Sequence, residues 1–133
     1  MTVVLDVSAA IEVVLGRPKQ DLVASILKQA DLVIAPSLYV YESVNTLWKY
    51  RTLPDFPVHK LLDKAEYLIK LVDKYINVED VYGDILSLAC EIDHPAYDTA
   101  YLLLGKKYKA SLITLDTKLI KSAQKAGIAV LIE

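Results

Sequence analysis

The sequence predicts an α/β fold, a three-layer α/β/α sandwich whose central sheet is mostly parallel. Short apolar runs of strand length alternate along the chain with longer segments of helical spacing, which is the order typical of parallel sheets. With 133 residues, 54% of them hydrophobic and 24% charged, the chain can bury a sizeable core and differs in composition from disordered sequences. We find no internal repeat and no linker-like stretch, so we expect a single domain over residues 1–133.

Strands are predicted where apolar residues run without interruption, and helices where they recur every three or four residues. The predicted strands are 3–5, 32–34, 112–115 and 128–132. The predicted helices are 8–15, 21–30, 37–50, 58–76, 82–92, 96–108 and 117–126. Pro36-Ser37, with Ser37 as the N-cap, and His94-Pro95 indicate helix starts, and Gly127 indicates a helix end.

Composition excludes several classes of protein. The single cysteine, Cys90, allows no intramolecular disulfide and no cysteine-based zinc site, which favours a cytoplasmic protein. No segment reaches the roughly eighteen apolar residues of a membrane-spanning helix, and the first residues lack the basic region of a signal peptide. The formal charge of −2 argues against a protein that coats nucleic acid generally. We expect a soluble protein that does not act at a membrane.

Two acidic residues directly follow predicted strands. Asp6 ends the run 3–5 and Asp116 ends the run 112–115, so both are expected at the carboxyl edge of the sheet. Ligands bind at that edge in such folds. Both residues also precede a helix, and N-capping is an equally good interpretation of each residue taken alone.

Glu42 and Asp98 each lie about one turn inside a predicted helix, too deep to cap it. Asp98 has mostly apolar neighbours, so its ionised carboxylate needs a cation or a close partner. Glu42 shares a helix face with Thr46 and Lys49, which fits either a site or a surface strip.

Carboxylates meeting at one sheet edge repel one another unless a divalent cation joins them or some are protonated. An oxygen-only donor set favours Mg²⁺ or Mn²⁺ and suits metal-assisted phosphodiester hydrolysis.

The order of these residues resembles the PIN domain family, and most closely the VapC-type toxin ribonucleases. The resemblance lies in VVLDVSAAIEVVL, in the P-S-x-x-x-x-E of APSLYVYESVNTLWK, and in the Y-D-x-x-Y-x-x-L and T-x-D of HPAYDTAYLLLGKKYKASLITLD. It extends from Val3 to Ile132 and is weakest between Leu53 and Val81. It implies a PIN-like α/β/α sandwich.

The resemblance also implies a set of site residues, carried over position by position. The catalytic residues, which would also bind Mg²⁺ or Mn²⁺, are Asp6, Glu42, Asp98 and Asp116. Ser8 of the D-x-S element and Thr114 of the T-x-D element match small hydroxyl residues that can orient a ligand or a metal-bound water.

The activity implied by the resemblance is that of an endoribonuclease, which cleaves RNA with a metal-activated water and is inhibited by a cognate VapB-type antitoxin. Proteins of this type are expected to form homodimers. The helix 37–50 carries apolar side chains beyond the needs of one core, including Tyr39, Tyr41, Leu47 and Trp48. Such side chains fit either a core or a partner surface, and the core is their commoner place.

RNA binding requires cations near the site, and setting the four proposed ligands aside leaves more Lys and Arg than Asp and Glu. Candidate phosphate contacts follow the two acidic motifs or lie in predicted loops: Lys106, Lys107, Lys118, Lys121, Arg17 and Arg51. A solvated helix face is an equally good interpretation of each lysine.

Two other functions are compatible with part of the sequence. A non-catalytic module with the PIN architecture would bind RNA or a protein partner without turnover. A phosphoacceptor receiver domain has a similar length and element order. It would need paired acids after the first strand and an acceptor Asp near mid-chain, where this sequence is helical.

Overall fold

The computed structural model describes residues 1–132 and contains one sheet of four strands. The strands are β1 (Thr2–Leu5), β2 (Leu32–Pro36), β3 (Lys74–Ile76) and β4 (Ser111–Ile113). Their order across the sheet is β3-β2-β1-β4, and every neighbouring pair is parallel. The predicted parallel sheet is therefore confirmed.

Helices cover both faces of this sheet. They are α1 (Val7–Val14), α2 (Gln20–Gln29), α3 (Leu38–Trp48), α4 (Val58–Lys70), α5 (Tyr82–Ile92), α6 (Ala96–Lys107) and α7 (Thr117–Lys125). The first four pack on one face and the last three on the other, which confirms the three-layer α/β/α sandwich. Among residues 1–132, no helix combines the length and the apolar character that crossing a membrane requires.

Alternation of side chains along β1 divides the core into two halves. Val3 and Leu5 contribute to the core half beneath α1 to α4, whereas Val4 contributes to the half beneath α5 to α7. Because successive side chains of a strand point to opposite faces, a sheet covered on both sides needs an apolar residue at every position. This requirement explains the uninterrupted apolar runs in the sequence.

The predicted helix 58–76 is wrong in its last part. The helix ends at Lys70, and residues Lys74–Ile76 form the edge strand β3. Asp73 fixes the turn between them, because its amide donates to the carbonyl of Val33 and its carboxylate accepts from the Val33 amide. Val72 and Ile76 are four residues apart and both buried, so helical spacing describes them although the chain between them becomes a strand.

The predicted strand 128–132 is also wrong as a continuous strand. Within the described residues this segment pairs with β4 only through a single bridge between Val130 and Leu112. The strand β4 itself is Ser111–Ile113, shorter than the predicted 112–115. Beyond Ile113 a side-chain contact replaces strand pairing, since the Leu115 amide donates to Ser8 Oγ on α1.

The helix starts and the helix end that proline and glycine indicated are confirmed, but the predicted Ser37 cap is wrong. The helices α3 and α6 begin at Leu38 and Ala96, as the proline signals predict, and Gly127 follows α7 with a φ of +73°. Ser37 makes no side-chain capping bond to α3. Its hydroxyl instead accepts a hydrogen bond from the amide of Val78, in the turn after β3.

The strand order creates a switch point between β1 and β4. From β1 the chain proceeds outward through β2 to β3, and then returns to the other side of β1 as β4. Leu5 pairs with Ile113, so the residues that follow these two strands lie side by side at the carboxyl edge. The connections diverge at such a point and leave a crevice, which is where ligands bind in open α/β sheets.

Tyr39→Phe should lower the free energy of unfolding by about 1 kcal/mol, because the buried Tyr39 hydroxyl donates to the Leu68 carbonyl and joins α3 to α4. Urea unfolding followed by circular dichroism measures the change. Tyr41→Phe is the matched control on the same helix, since Tyr41 is 79% exposed, and it should change the free energy by less than about 0.5 kcal/mol. Equal effects of the two substitutions would contradict this role of the hydroxyl.

Candidate active site

A cavity of about 530 Å³ opens at the carboxyl edge of the sheet, at the crevice between β1 and β4. All four acidic residues predicted from the sequence line it. Asp6 follows β1, Asp116 follows β4, Glu42 lies on α3 and Asp98 lies on α6. Tertiary folding therefore brings four distant parts of the chain to one place.

Asp6 is buried, and hydroxyl groups hold one of its oxygens. Its Oδ2 accepts hydrogen bonds from Ser8 Oγ at 2.6 Å and from Thr114 Oγ1 at 2.7 Å. Burial raises the pKa of Asp6, the two hydroxyls lower it, and the nearby Asp116 and Asp98 raise it further, so that the pKa lies above its ordinary value. Ionised Asp6 is therefore costly where two hydroxyls are its only hydrogen-bond donors within residues 1–132.

The two hydroxyls are themselves fixed by the backbone beyond β4. Ser8 Oγ accepts from the Leu115 amide at 2.9 Å, and Thr114 Oγ1 accepts from the Asp116 amide at 3.1 Å. Each hydroxyl thus accepts from an amide and donates to the same carboxylate oxygen. The chain after β4 sets the orientation of an acid that follows β1.

The capping interpretation holds for Asp116 and not for Asp6. Asp116 Oδ1 accepts from the amides of Lys118 at 2.9 Å and Leu119 at 3.3 Å, and so caps α7. Asp6 makes no side-chain capping bond to α1. Capping does not remove Asp116 from the site, because the same carboxylate lines the cavity.

Asp98 has a close partner, as its position in an apolar helix required. Its Oδ2 lies 3.1 Å from His94 Nε2, and His94 Nδ1 lies 2.8 Å from Ser122 Oγ. The imidazole ring thus bridges the Asp98 carboxylate and the Ser122 hydroxyl through its two nitrogens. This chain of contacts ties the first turn of α6 to α7 and orients Asp98.

Glu42 accepts a short hydrogen bond from the hydroxyl of buried Tyr101 through Oε1. Burial raises the pKa of Glu42 to about 7, and Asp6, Asp98 and Asp116 add to the rise, whereas the Tyr101 hydroxyl opposes it. Tyr101 is the second tyrosine of the Y-D-x-x-Y motif. It lies three residues after Asp98, so one helix supplies an acid of the cavity and the hydrogen-bond donor for another.

The four carboxylates share one pattern of hydrogen bonding. Contacts among residues 1–132 engage one oxygen of each carboxylate and leave the second available. None of the four forms an ion pair with Lys or Arg in this part of the chain. Oxygen donors of like charge suit a hard divalent cation. The fit is one of donor chemistry only, because within the described chain no three Asp, Glu, His or Cys side chains lie close enough to hold an ion.

The lysines predicted to contact RNA lie outside the lining of this cavity. Because α6 runs antiparallel to the strands, its last turn carries Lys106 and Lys107 toward the opposite edge of the sheet, and Lys106 lies there beside Ser111 at the start of β4. Lys118 and Lys121 are on α7, near the acidic residues in sequence. The cavity lining contains none of the four.

The two arginines predicted to contact RNA have different surroundings. Arg51 stacks on the Trp48 ring, with its guanidinium carbon 3.7 Å from the ring centre. Arg17 lines the cavity and pairs with Glu12, a fifth carboxylate that sequence reasoning did not assign to the site. A signal for Glu12 was present, because it is a single acid within the apolar sequence of α1.

Protein stripped of divalent ions should lose stability as the pH rises from about 4.5 to about 7. Glu42 has a pKa of about 7 in the fold against an ordinary value of 4.5, so the folded state binds more protons than the unfolded state across this range. Asp6, whose pKa is also raised, acts in the same direction. Glu42→Gln should flatten the decline, as measured by thermal unfolding in EDTA at several pH values. Glu91→Gln, an exposed acid on α5, is the control, and a Glu42→Gln profile as steep as that of the wild type would contradict the assignment.

Known proteins resemble this chain in sequence and in fold. The family model of the PIN domain matches residues 3–128. The chain is 27% identical over 122 residues to a curated protein named Ribonuclease VapC3 from Pyrobaculum aerophilum, covering 90% of this chain and 92% of the relative. The crystal structure of PAE2754 from Pyrobaculum aerophilum has the same fold, with a TM-score of 0.73 and 17% identity over 98% of this chain and 90% of that chain. The chain belongs to the PIN domain family.

Proposed function

We propose that the protein is a metal-dependent endoribonuclease of the VapC toxin type, which hydrolyses RNA phosphodiester bonds and is inhibited by a VapB-type antitoxin. The observation that carries this proposal is the meeting of Asp6, Glu42, Asp98 and Asp116 around one cavity at the switch point of the sheet. Membership of the PIN domain family and the similarity to a protein named as a ribonuclease support it.

The available oxygens of these four carboxylates would bind Mg²⁺ or Mn²⁺, and the ion would draw together side chains that lie too far apart to hold it in its absence. Bound metal supplies an activated water and neutralises charge on the phosphodiester. Neighbouring residues orient the carboxylates: Ser8 and Thr114 hold Asp6, His94 holds Asp98, and Tyr101 holds Glu42. Such partners fix the direction of a metal ligand and commonly affect metal affinity.

Asp98→Asn should reduce RNA cleavage by about 100-fold or more while preserving the fold, because metal stabilisation of the transition state amounts to several kcal/mol. Purified protein is incubated with total cellular RNA in Mg²⁺, in Mn²⁺ or in EDTA, and the ends of the products are mapped. Asp63→Asn removes the same charge from the exposed surface of α4 and should cleave like the wild type.

The pattern of results separates the possible functions. Metal-dependent cleavage that is lost in Asp98→Asn and kept in Asp63→Asn supports the proposal. Cleavage that persists equally in EDTA and in Asp98→Asn would indicate a contaminating nuclease. An absence of cleavage with every RNA and metal, in protein shown by circular dichroism to be folded, would instead favour a non-catalytic interaction module.

An apolar stripe on α3 supports the proposal of a protein partner and a homodimer. Tyr39 and Leu47 are buried core residues, whereas Tyr41, Val44 and Trp48 are 79%, 45% and 55% exposed. The exposed residues recur at three- and four-residue spacing and so lie along one side of the helix. An apolar surface of this kind is typical of a protein–protein contact.

Val44→Glu should convert a dimer to a monomer, because a charge within the apolar stripe would be desolvated in the interface. Light scattering after size-exclusion chromatography measures the molar mass. Leu86→Glu is the control, since Leu86 is a 61% exposed leucine on α5 and lies outside the stripe. A wild-type protein that is monomeric at all concentrations would refute the homodimer. The antitoxin would then be the remaining proposed partner of the stripe.

A further inference from the structure

Arg17 is the one Lys or Arg side chain among residues 1–132 that lines the acidic cavity. It lies in the turn between α1 and α2, after Gly16, whose φ of +63° allows the chain to reverse direction there. In the ribonuclease proposed above, a substrate with a phosphate backbone would approach the four carboxylates here. The only positive charge that the described chain itself contributes to the cavity wall is this guanidinium.

The Arg17 guanidinium is held from two sides. Its Nε lies 3.1 Å from Glu12 Oε2, and its Nη1 donates to the hydroxyl of Tyr50 at 2.8 Å. Glu12 is itself fixed, because its carboxylate is buried and its Oε1 accepts from the Lys19 amide. Separating Arg17 from Glu12 would leave a buried charge unpaired, which is strongly unfavourable. The guanidinium is therefore pre-positioned.

Part of the guanidinium remains available for binding. An arginine has five N–H donors, and the contacts with Glu12 and Tyr50 use Nε and one hydrogen of Nη1. Both hydrogens of Nη2 have no hydrogen-bond partner among residues 1–132, and 48% of the Arg17 side chain is exposed. A fork of free N–H groups on a fixed arginine matches the oxygens of a phosphate group.

We propose that Arg17 binds a phosphate of the RNA strand next to the scissile phosphodiester, with Glu12 and Tyr50 holding its guanidinium in place. The proposal rests on the ribonuclease function proposed above and names a residue that positions its substrate. Glu12 accordingly serves as the partner of Arg17 and not as a fifth metal ligand. Because the arginine is already ordered, binding loses little side-chain entropy.

Arg17→Met should raise KM for a short single-stranded RNA by about 10-fold or more, with a smaller change in kcat, because a hydrogen bond to a charged group contributes about 1.5–3 kcal/mol. The same loss should appear in direct binding. Fluorescence anisotropy of a labelled RNA with the Asp98→Asn and Asp98→Asn/Arg17→Met proteins measures affinity without cleavage. The slope of log K against log salt should decrease by about 0.7, the value for one phosphate contact of a single strand.

Lys28→Met is the matched control for the loss of one positive charge. Lys28 is exposed in the last turn of α2, which leads to the start of β2 at the edge of the sheet opposite the cavity. It should leave KM and the salt slope unchanged. Tyr50→Phe removes one of the two contacts that hold Arg17 and should raise KM by less than Arg17→Met.

Arg17→Met also leaves Glu12 buried without its partner, so a loss of stability has to be separated from a loss of binding. The double variant Glu12→Gln/Arg17→Met removes both charges and so leaves no buried charge unpaired. Its RNA affinity can be compared with that of the wild type if the single variant unfolds. Arg17→Lys retains the charge without the fork and should bind RNA with intermediate affinity.

Three outcomes decide the proposal. A reduced salt slope and a raised KM in the Arg17 variants, with the Lys28 variant unchanged, support it. A lower unfolding temperature with unaltered RNA affinity and salt slope would show that Arg17 is only a tie between α1 and the end of α3, and the proposal fails while the ribonuclease function stands. If neither wild-type nor Asp98→Asn protein binds RNA at all, the ribonuclease function fails and the role of Arg17 fails with it.

Discussion

The site depends on the parallel pairing of β1 with β4. The Asp6 amide donates to the Ile113 carbonyl at 3.0 Å and continues the ladder past the end of β1. This register brings the Thr114 hydroxyl to the Asp6 oxygen that also accepts from Ser8, two residues along the same segment. A shift of one residue would exchange the faces of the strand and take the Thr114 hydroxyl away from this buried carboxylate, which is unfavourable. The pairing that builds the core therefore also helps to orient a buried acid of the cavity.

The clustered carboxylates of the cavity lower the free energy of unfolding, and hydrogen bonds from neighbouring groups offset part of this loss. Burial and mutual repulsion raise the pKa of Asp6 and of Glu42, so these acids are less stable as ions in the fold than in water. Hydrogen-bond donors from adjacent elements hold one oxygen of each carboxylate but do not neutralise the group. Glu12 differs, because Arg17 pairs with it. The acidic cluster therefore destabilises the fold at the place where we propose that a cation binds. Functional sites are often destabilising in this way.

Much of the fold could be predicted from local pattern. The segments of β1 and β2 and six of the helices follow from continuous apolar runs or helical spacing, because both faces of the sheet are covered. The strand β3 could not be found in this way. Its apolar residues continue the spacing of α4, and only the pairing of Asp73 with Val33 shows that the chain has left the helix. The strand predicted at 128–132 was wrong for a different reason. An apolar run does not show how many of its residues pair with a neighbouring strand, and among the described residues here only Val130 forms a bridge.

The sequence by itself determined the α/β class, the place of Asp6 and Asp116 at the ends of strands, and the motifs of the PIN domain family, because these properties depend on neighbours along the chain. Tertiary structure alone decided the strand order, the cavity that Glu42 and Asp98 share with them, and the contacts of Tyr101 with Glu42 and of His94 with Ser122. It also decided which cations lie near that cavity, since α6 carries its lysines away from the site and the α1–α2 turn brings Arg17 to it. Such contacts join residues far apart in the chain, and no local spacing records them.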